Sequence, residues 1–517
     1  MKSLAECLER LYQSRTKTPQ EQRDTLIDVS RRGFLQKVLS ATTYGVFMGG
    51  CGHKLFADGI DGLPDLGDSD RSNLSPYQAD LLGKQVILSI YSQGGMVDDY
   101  DCLDYLNHLG NEFVSYSPLA GQNFNFYLIK DKDINAFALP GGYICANNGL
   151  IYTTLSEAEL SGVLAHEVGH VVQHHIFRNI TLQNRAQWSS LAGLIAGVLL
   201  APVNPGIAMV AAQSGQGIGV QNMLSFSRDY EREADRVGQQ LMYQAGFDAH
   251  AMPEFFQRMQ NVYRFNSKDA LFFLQTHPVT LERLSEAETR ANQLPVKMRA
   301  DSIDFLLARE KCRVRQLSNT DAIKFYQSSI SNKRYVSLEA QLYGLSLVQL
   351  LTNNLANSVA TLGKIQSPVY QNNPMVIGLR ARQLVLQRNY NLADKVYDQA
   401  IDSYPNHKGI WMAQLEFLLG SKNYSKMSSR LEDLAHNFPQ DPDVWDQYAI
   451  LYSDNRYDNP LRYHYGLANE LFVLNDYKGA LEQYRAAIKA KPKFAGDDAI
   501  QELANAKIPE VLRNLQK

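Results

Sequence analysis

Cysteine is scarce in this sequence, long apolar runs are missing, and neither sign of charge dominates. Five cysteines in 517 residues, with no C-x-x-C pair, exclude a disulfide scaffold and a cysteine zinc site. With 51 basic and 54 acidic side chains the net charge is −3, so no general attraction to nucleic acid is expected. No apolar run approaches the roughly 20 residues that a membrane-spanning helix needs.

The chain is too long for one compact core, so two or three domains are expected. A Gly-, Asp- and Ser-rich stretch reads as a spacer, and the composition becomes uniformly helical after about residue 315. The predicted division is an export signal (1–57), a spacer (58–75), a mixed α and β domain (76–315), a linker (316–334) and a helical repeat domain (335–517).

The N-terminus resembles a twin-arginine export signal, with Arg31 and Arg32 before a modest apolar stretch at 38–50. This predicts a periplasmic protein, whereas the plain alternative is a flexible tail with an amphipathic helix. Two processing sites compete. Lipidation of Cys51 would anchor the protein at a membrane, and cleavage after Ala57 would release it.

The mixed domain contains two predicted strands, Asn125–Ile129 and Tyr143–Ala146. Helical periodicity runs over 155–178 and again over about 226–245, where Gly246 is a suitable cap. This gives an α+β, helix-rich fold. Between the helices, the apolar segment 191–213 has three open readings: a flap, a hairpin that touches a membrane, or core.

His166-Glu167-Val168-Gly169-His170 is an H-E-x-x-H motif. On a helix, positions i and i+4 share a face, so both imidazoles can point at one metal ion while Glu167 reaches a metal-bound water. Catalytic zinc takes three protein ligands, and Glu231 is a suitable third. Asp235 lies one turn after Glu231 and could accept the second ring N–H of a zinc histidine.

Other patterns compete with this assignment. A third-histidine zinc site would need Gly at 173 and His at 176, but the chain has Gln173 and Ile176. The neighbouring His174 and His175 are interpreted as structural or hydrogen-bonding residues, because a further turn lies about 6 Å along the helix axis. Taken alone, Glu231 and Asp235 would be a solvated helix face with arginine partners.

The C-terminal part repeats at about 34 residues, since Pro405 and Pro439 are 34 apart, as are Trp411 and Trp445. Small residues and one tyrosine recur at fixed offsets before Pro405 and before Pro492. They are Ala381, Leu384, Ala393, Tyr397 and Ala400 in one unit, and Ala468, Leu471, Ala480, Tyr484 and Ala487 in the other. The pattern resembles the tetratricopeptide repeat (TPR) consensus, an all-α solenoid; the alternative is an irregular helical bundle.

Four motifs together resemble the HtpX- and BepA-like zinc metalloproteases, which have a gluzincin-type domain. They occur in family order at 135–142, 166–170, 227–235 and 276–283. A repeat array after the protease domain resembles the periplasmic BepA type in particular. The apparent twin-arginine signal departs from that type, for which a simple secretory signal is expected.

The resemblance implies a role for each matching residue. His166, His170 and Glu231 would bind one zinc ion per chain, and Glu167 would be the general base. His277 would lie on a loop that reaches the metal, either as a resting fourth ligand or as a stabiliser of the oxyanion.

Further candidates have weaker support. Tyr230 and Arg283 are alternative oxyanion donors beside His277. The tight turn Pro140-Gly141-Gly142 leads into the strand that starts at Tyr143, and such proteases pair a substrate with an edge strand near the metal.

The predicted function is a zinc endopeptidase for protein quality control in the bacterial envelope, with a role in outer-membrane protein assembly. Its partners would be protein substrates and, through the repeats, an assembly machine. One alternative is a chaperone-like assembly factor with largely repressed proteolysis. Another is a non-proteolytic zinc hydrolase or an aminopeptidase.

Overall fold

The computed structural model describes residues 75–175, 195–197, 199, 227–264 and 271–516. The predicted export signal, with Cys51 and Ala57, lies outside these residues. Most of 191–213 does too, although Ile195, Ala196 and Leu199 are buried in the main core. Within the described ranges no helix combines the length and the apolar character that crossing a bilayer requires.

The first half of the chain packs helices around one small sheet, as the sequence predicts. The strands are β1 (Asn125–Ile129), β2 (Ala136–Leu139) and β3 (Tyr143–Asn147). The helices are α1 (Pro76–Ser92), α2 (Tyr100–Ser115), α3 (Asn148–Thr153), α4 (Glu157–Val172), α5 (Arg228–Gln244), α6 (Ala251–Arg264), α7 (Leu271–Thr276), α8 (Leu281–Asn292) and α9 (Ile303–Gln316).

The sheet has the order β1-β3-β2, with β3 parallel to β1 and antiparallel to β2. Gly141 and Gly142 make the turn from β2 into β3 with φ of +83° and +82°, which favours glycine. Both edges of β3 are therefore paired, and the expectation that the strand from Tyr143 receives a substrate needs correction. Among the described strands, β2 lies at the edge next to the metal-motif helix.

Helices α4 and α5 pack so closely that only glycine fits at two contacts. A Cβ atom built on Gly169 would lie 2.9 Å from the carbonyl oxygen of Ala234, and one on Gly238 would lie 2.9 Å from the backbone nitrogen of His166. Ser156 and Ser227 cap the two helices at their N-termini. This approach sets the H-E-x-x-H motif directly against Glu231 and Asp235.

The second half is entirely helical in the residues described. The helices are α10 (Asn319–Ser331), α11 (Leu338–Leu351), α12 (Leu355–Leu362), α13 (Pro368–Gln371), α14 (Pro374–Leu386), α15 (Tyr390–Ser403), α16 (Lys408–Gly420), α17 (Tyr424–Asn437), α18 (Pro442–Ser453), α19 (Pro460–Val473), α20 (Tyr477–Lys489) and α21 (Asp497–Gln516).

Successive helices pack against one another with recurring contacts, consistent with a TPR-like solenoid. Trp411 donates its indole N–H to the carbonyl of Pro405 at 2.8 Å, and Trp445 makes the same bond to Pro439 at 2.9 Å. The residues predicted to pack between helices are buried, except Leu384, which is partly exposed. Equal spacing in sequence thus produces equal contacts in space.

One apolar core extends across both halves, from Leu82 in α1 to Leu379 in α14. The predicted linker contains helix α10, which packs against α11 through Tyr326. A polar contact also joins the halves, because Asp104 of α2 accepts from the backbone N–H of Gly409 at 3.0 Å in α16.

We expect Gly238→Ala to lower the melting temperature, because its methyl group would push α5 away from the backbone of α4. Overpacking of this kind typically costs about 1–3 kcal/mol. Gly420→Ala is the matched control, because a Cβ atom there meets nothing within 4 Å. Calorimetry of both variants checks this, and equal melting temperatures would contradict it.

Burial against α16 raises the pKa of Asp104 to about 6, and the nearby Asp101 adds to the rise. His407, the Gly409 N–H and Lys408 oppose this shift without cancelling it. An acid whose pKa is higher in the folded state destabilises that state progressively as the pH rises from about 4 to above 6. We therefore expect Asp104→Asn to stabilise the protein at pH 7 and to change little at pH 4. Denaturant unfolding at both pH values measures this, and a stabilisation independent of pH would contradict it.

Candidate metal centre

Four buried side chains converge at the contact between α4 and α5. His166, His170, Glu231 and His277 each offer a ligand atom, and these atoms lie within 4.8 Å of one another. The Nε2 atoms of His166 and His170 are 3.0 Å apart. Each lies 3.4 Å from an oxygen of Glu231.

The chemistry of this donor set fits a metal ion. Two imidazole nitrogens and a carboxylate face the same small space, all buried away from water. A divalent cation would satisfy all three at once, and two histidines with one glutamate are a ligand set for catalytic zinc. The cluster can therefore hold one metal ion, consistent with zinc.

Asp235 fixes the orientation of His166. Its carboxylate lies 2.9 Å from Nδ1 of His166, so Nδ1 carries the hydrogen and Nε2 faces the ligand cluster. Burial alone would raise the pKa of Asp235, but the Arg283 guanidinium and His166 outweigh it and hold that pKa below its usual value. The contact is the one that the one-turn spacing of Glu231 and Asp235 suggests.

Arg283, a candidate oxyanion donor in the sequence, is used otherwise. Its Nε and Nη2 atoms both donate to Asp235 at 2.8 Å, and Nη1 lies 2.7 Å from Glu231. Nη1 also donates to the carbonyl of Pro278. The buried guanidinium therefore ties α8 to both carboxylates of α5 instead of pointing at a substrate.

His277 lies immediately after α7 and reaches the centre of the cluster. Its Nδ1 atom is 3.1 Å from Glu231 and 3.3 Å from Nε2 of His166, and its Nε2 atom is 3.4 Å from Glu167. Phe273 packs against its ring, with centroids 5.3 Å apart. In this structure the predicted loop residue His277 therefore lies among the predicted metal ligands.

Glu167 is fully buried beside the cluster without being one of its four members. Burial raises the pKa of its carboxyl, although His277 and His166 oppose the shift. The backbone N–H of Ala138 in β2 also opposes the rise in the pKa of Glu167. The edge strand and the carboxylate are therefore neighbours.

The remaining sequence candidates lie outside the cluster. The hydroxyl of Tyr143, just after the Pro140 turn, donates to Asp80 of α1 at 2.8 Å. The ring of Tyr230 stacks on His175, with centroids 4.4 Å apart and an interplanar angle of 12°. Sequence reasoning gave His175 no specific partner, although its ring approaches His170.

Comparison with known proteins agrees with this geometry. Residues 104–291 match the model of peptidase family M48. Residues 104–291 are therefore similar to M48 peptidases, and the predicted resemblance to the HtpX- and BepA-like family is confirmed.

Three relatives illustrate the range of similarity. The "Beta-barrel assembly-enhancing protease" of Escherichia coli (strain K12) is 35% identical over 54% of this chain and 57% of its own length. The protein of that name in Yersinia pestis is 29% identical over 72% of this chain and 84% of its own. "Mitochondrial metalloendopeptidase OMA1" of Schizosaccharomyces pombe is 29% identical over 37% and 54%, respectively. The chain spans 57% of the length of the Escherichia coli protein and 60% of that of a similar protein from Vibrio cholerae.

Arg283→Leu should strongly destabilise the protein, since it leaves two buried carboxylates without their cation. Removing one partner of a buried ion pair typically costs about 3–5 kcal/mol. Arg232→Leu is the control, because Arg232 of α5 makes solvent-exposed ion pairs and little change is expected. Denaturant midpoints of chelator-treated protein compare them, and similar midpoints would refute the role of Arg283.

Proposed function

We propose that the chain is a zinc-dependent endopeptidase that acts on protein substrates in the bacterial cell envelope. The observation that carries this proposal is the buried cluster of His166, His170 and Glu231 with Glu167 beside it. When bound, zinc supplies a Lewis acid that activates water near neutral pH and polarises a carbonyl.

The residues of the chain divide the remaining work. Glu167 accepts a proton from the attacking water and delivers it to the leaving amine. Its buried position suits this role, because a raised pKa makes the carboxylate a better base. Asp235 holds His166, and Arg283 holds Asp235, so the metal ligands stay oriented during the reaction.

The position of His277 favours restraint of this activity. Its ring occupies the ligand cluster and faces Glu167, where a substrate carbonyl would need to approach. Displacement of the segment after α7 would open the site. Three residues are candidate donors to the oxyanion. Arg283 binds carboxylates and Tyr230 stacks on His175, whereas the ring nitrogens of His277 lie in the cluster. His277 is therefore the preferred donor.

Substrate binding is assigned to β2. This strand lies at the edge of the sheet, and Ala138 brings its backbone next to Glu167. An extended peptide added to β2 would gain main-chain hydrogen bonds with little sequence preference. Unfolded segments satisfy this requirement better than folded domains.

The repeats and the N-terminus extend the proposal to the cell. A TPR-like array offers a surface that grips peptide segments, which suits delivery of misfolded proteins or docking on an assembly machine. Similarity to proteins named "Beta-barrel assembly-enhancing protease" favours a role in outer-membrane protein assembly. We assign the chain to the periplasm through its twin-arginine-like signal, with Cys51 as a candidate lipid anchor. A chaperone-like factor with repressed proteolysis is the second candidate, favoured by His277 in the cluster.

Glu167→Gln should abolish casein cleavage while one zinc per chain remains, because the general base is lost and the four cluster members are kept. Loss of a general base typically costs about 10²–10⁴-fold in rate. His277→Ala should raise or alter cleavage. Zinc analysis and a casein assay on the full-length chain measure both effects.

His250→Ala is the control, since His250 pairs with Asp248 away from the cluster. Activity that is indifferent to Glu167, or a chain that binds no zinc, would refute the endopeptidase. Zinc binding without cleavage in both the native chain and His277→Ala would favour the assembly factor.

A further inference from the structure

A second histidine stands directly behind one of the metal-facing imidazoles. Nδ1 of His175 lies 3.0 Å from Nδ1 of His170, and both rings are fully buried. On its other side, Nε2 of His175 lies 3.2 Å from an oxygen of Glu233, which is partly exposed. Three side chains thus form a row from the ligand cluster towards the surface.

The backbone is bent to make this contact. In a continuous helix, a residue five positions after His170 would point about 140° away from it. Helix α4 ends at Val172, and His174 then adopts a left-handed conformation with φ of +54°. That conformation is uncommon for a residue other than glycine, and here it returns His175 to the side of His170.

The hydrogen positions follow from the geometry. Nε2 of His170 faces the ligand cluster, so in the neutral ring Nδ1 carries the hydrogen and donates. Nδ1 of His175 must then accept, which leaves the hydrogen of His175 on Nε2. That N–H points to the carboxylate of Glu233, an acceptor. Each of the two hydrogen bonds in the row therefore has one donor and one acceptor.

Tyr230 holds the ring of His175 from the opposite helix. The two rings stack in near-parallel fashion, and Tyr230 directly precedes Glu231 in α5. Movement of His175 would therefore disturb both a histidine ligand and the neighbour of the carboxylate ligand.

We propose that His175 is a positioning residue for the metal centre. It accepts a hydrogen bond from Nδ1 of His170 and donates one from its own Nε2 to Glu233. These two bonds fix the tautomer and the direction of the His170 ring. This inference rests on the proposed function, because it concerns how tightly the same cluster holds its metal ion. His166 has Asp235 for this purpose, and His175 with Glu233 would serve His170 in the same way.

Two substitutions separate the hydrogen bond from the packing. His175→Phe keeps an aromatic ring on Tyr230 but removes the acceptor, whereas His175→Gln keeps a carbonyl acceptor and loses the stacking. His250→Gln is the control, because His250 is also a hydrogen-bonded histidine of this half but lies outside the cluster. Glu233→Ala changes a partly exposed residue and tests the outer end of the row.

Zinc affinity of the full-length chain is measured by competition with a chromophoric chelator, and the cobalt(II) protein gives a spectrum that reports ligand geometry. Loss of an outer hydrogen-bond partner typically weakens metal binding by about 10–100-fold, which is the effect expected for His175→Phe. His175→Gln should recover much of the affinity and the native cobalt spectrum. Glu233→Ala should weaken binding less than His175→Phe, and His250→Gln should match the native chain.

Native affinity in both His175→Phe and Glu233→Ala would overturn this inference. Equal weakening in the Phe and Gln variants would also overturn it, because packing alone would then explain the loss. If the native chain binds zinc and cleaves casein in those cases, the endopeptidase assignment survives. A native chain that binds no zinc would overturn both.

Discussion

The close approach of α4 and α5 is the constraint on which the rest of the structure depends. Gly169 and Gly238 let the two backbones touch, and this contact turns two sequence motifs into one buried site. Such proximity concentrates polar groups in an apolar interior, where each needs a partner. Arg283 of α8 pairs with both Glu231 and Asp235 and so offsets part of the negative charge that α5 buries.

The parts of the site that lie within one helix were predictable from spacing. The i and i+4 positions of His166 and His170, and of Glu231 and Asp235, define shared faces without knowledge of the fold. The exact strand Asn125–Ile129 followed from residue type and length in the same way. In the C-terminal half, the 34-residue period was visible because Trp411 and Trp445 repeat one contact.

What sequence reasoning missed depends on long-range geometry. The strand from Tyr143 lies in the middle of the sheet because β1 pairs with it in parallel, and pairing order leaves no mark on a short apolar segment. Arg283 is only one of three candidate oxyanion donors in the sequence, since its carboxylate partners Asp235 and Glu231 lie about 50 residues away and its pairing with them is not visible there. His175 had no assigned partner because helical spacing points it away from His170, and a single left-handed residue reverses that direction.

The apolar core that runs from Leu82 to Leu379 has a consequence for how this architecture can change over time. Two domains joined by a solvated seam can be shuffled freely, since neither relies on the surface of the other. Here helices from the second half, up to α14, share the apolar core of the half that holds the ligand cluster, so neither half has a separate, complete surface at the boundary. A second core begins at Ala381 within α14 and contacts the first half at fewer points, among them Tyr100. Exchanging the helices before α14 would therefore require redesign of the interior around the ligand cluster, whereas exchanging those after it would disturb fewer contacts.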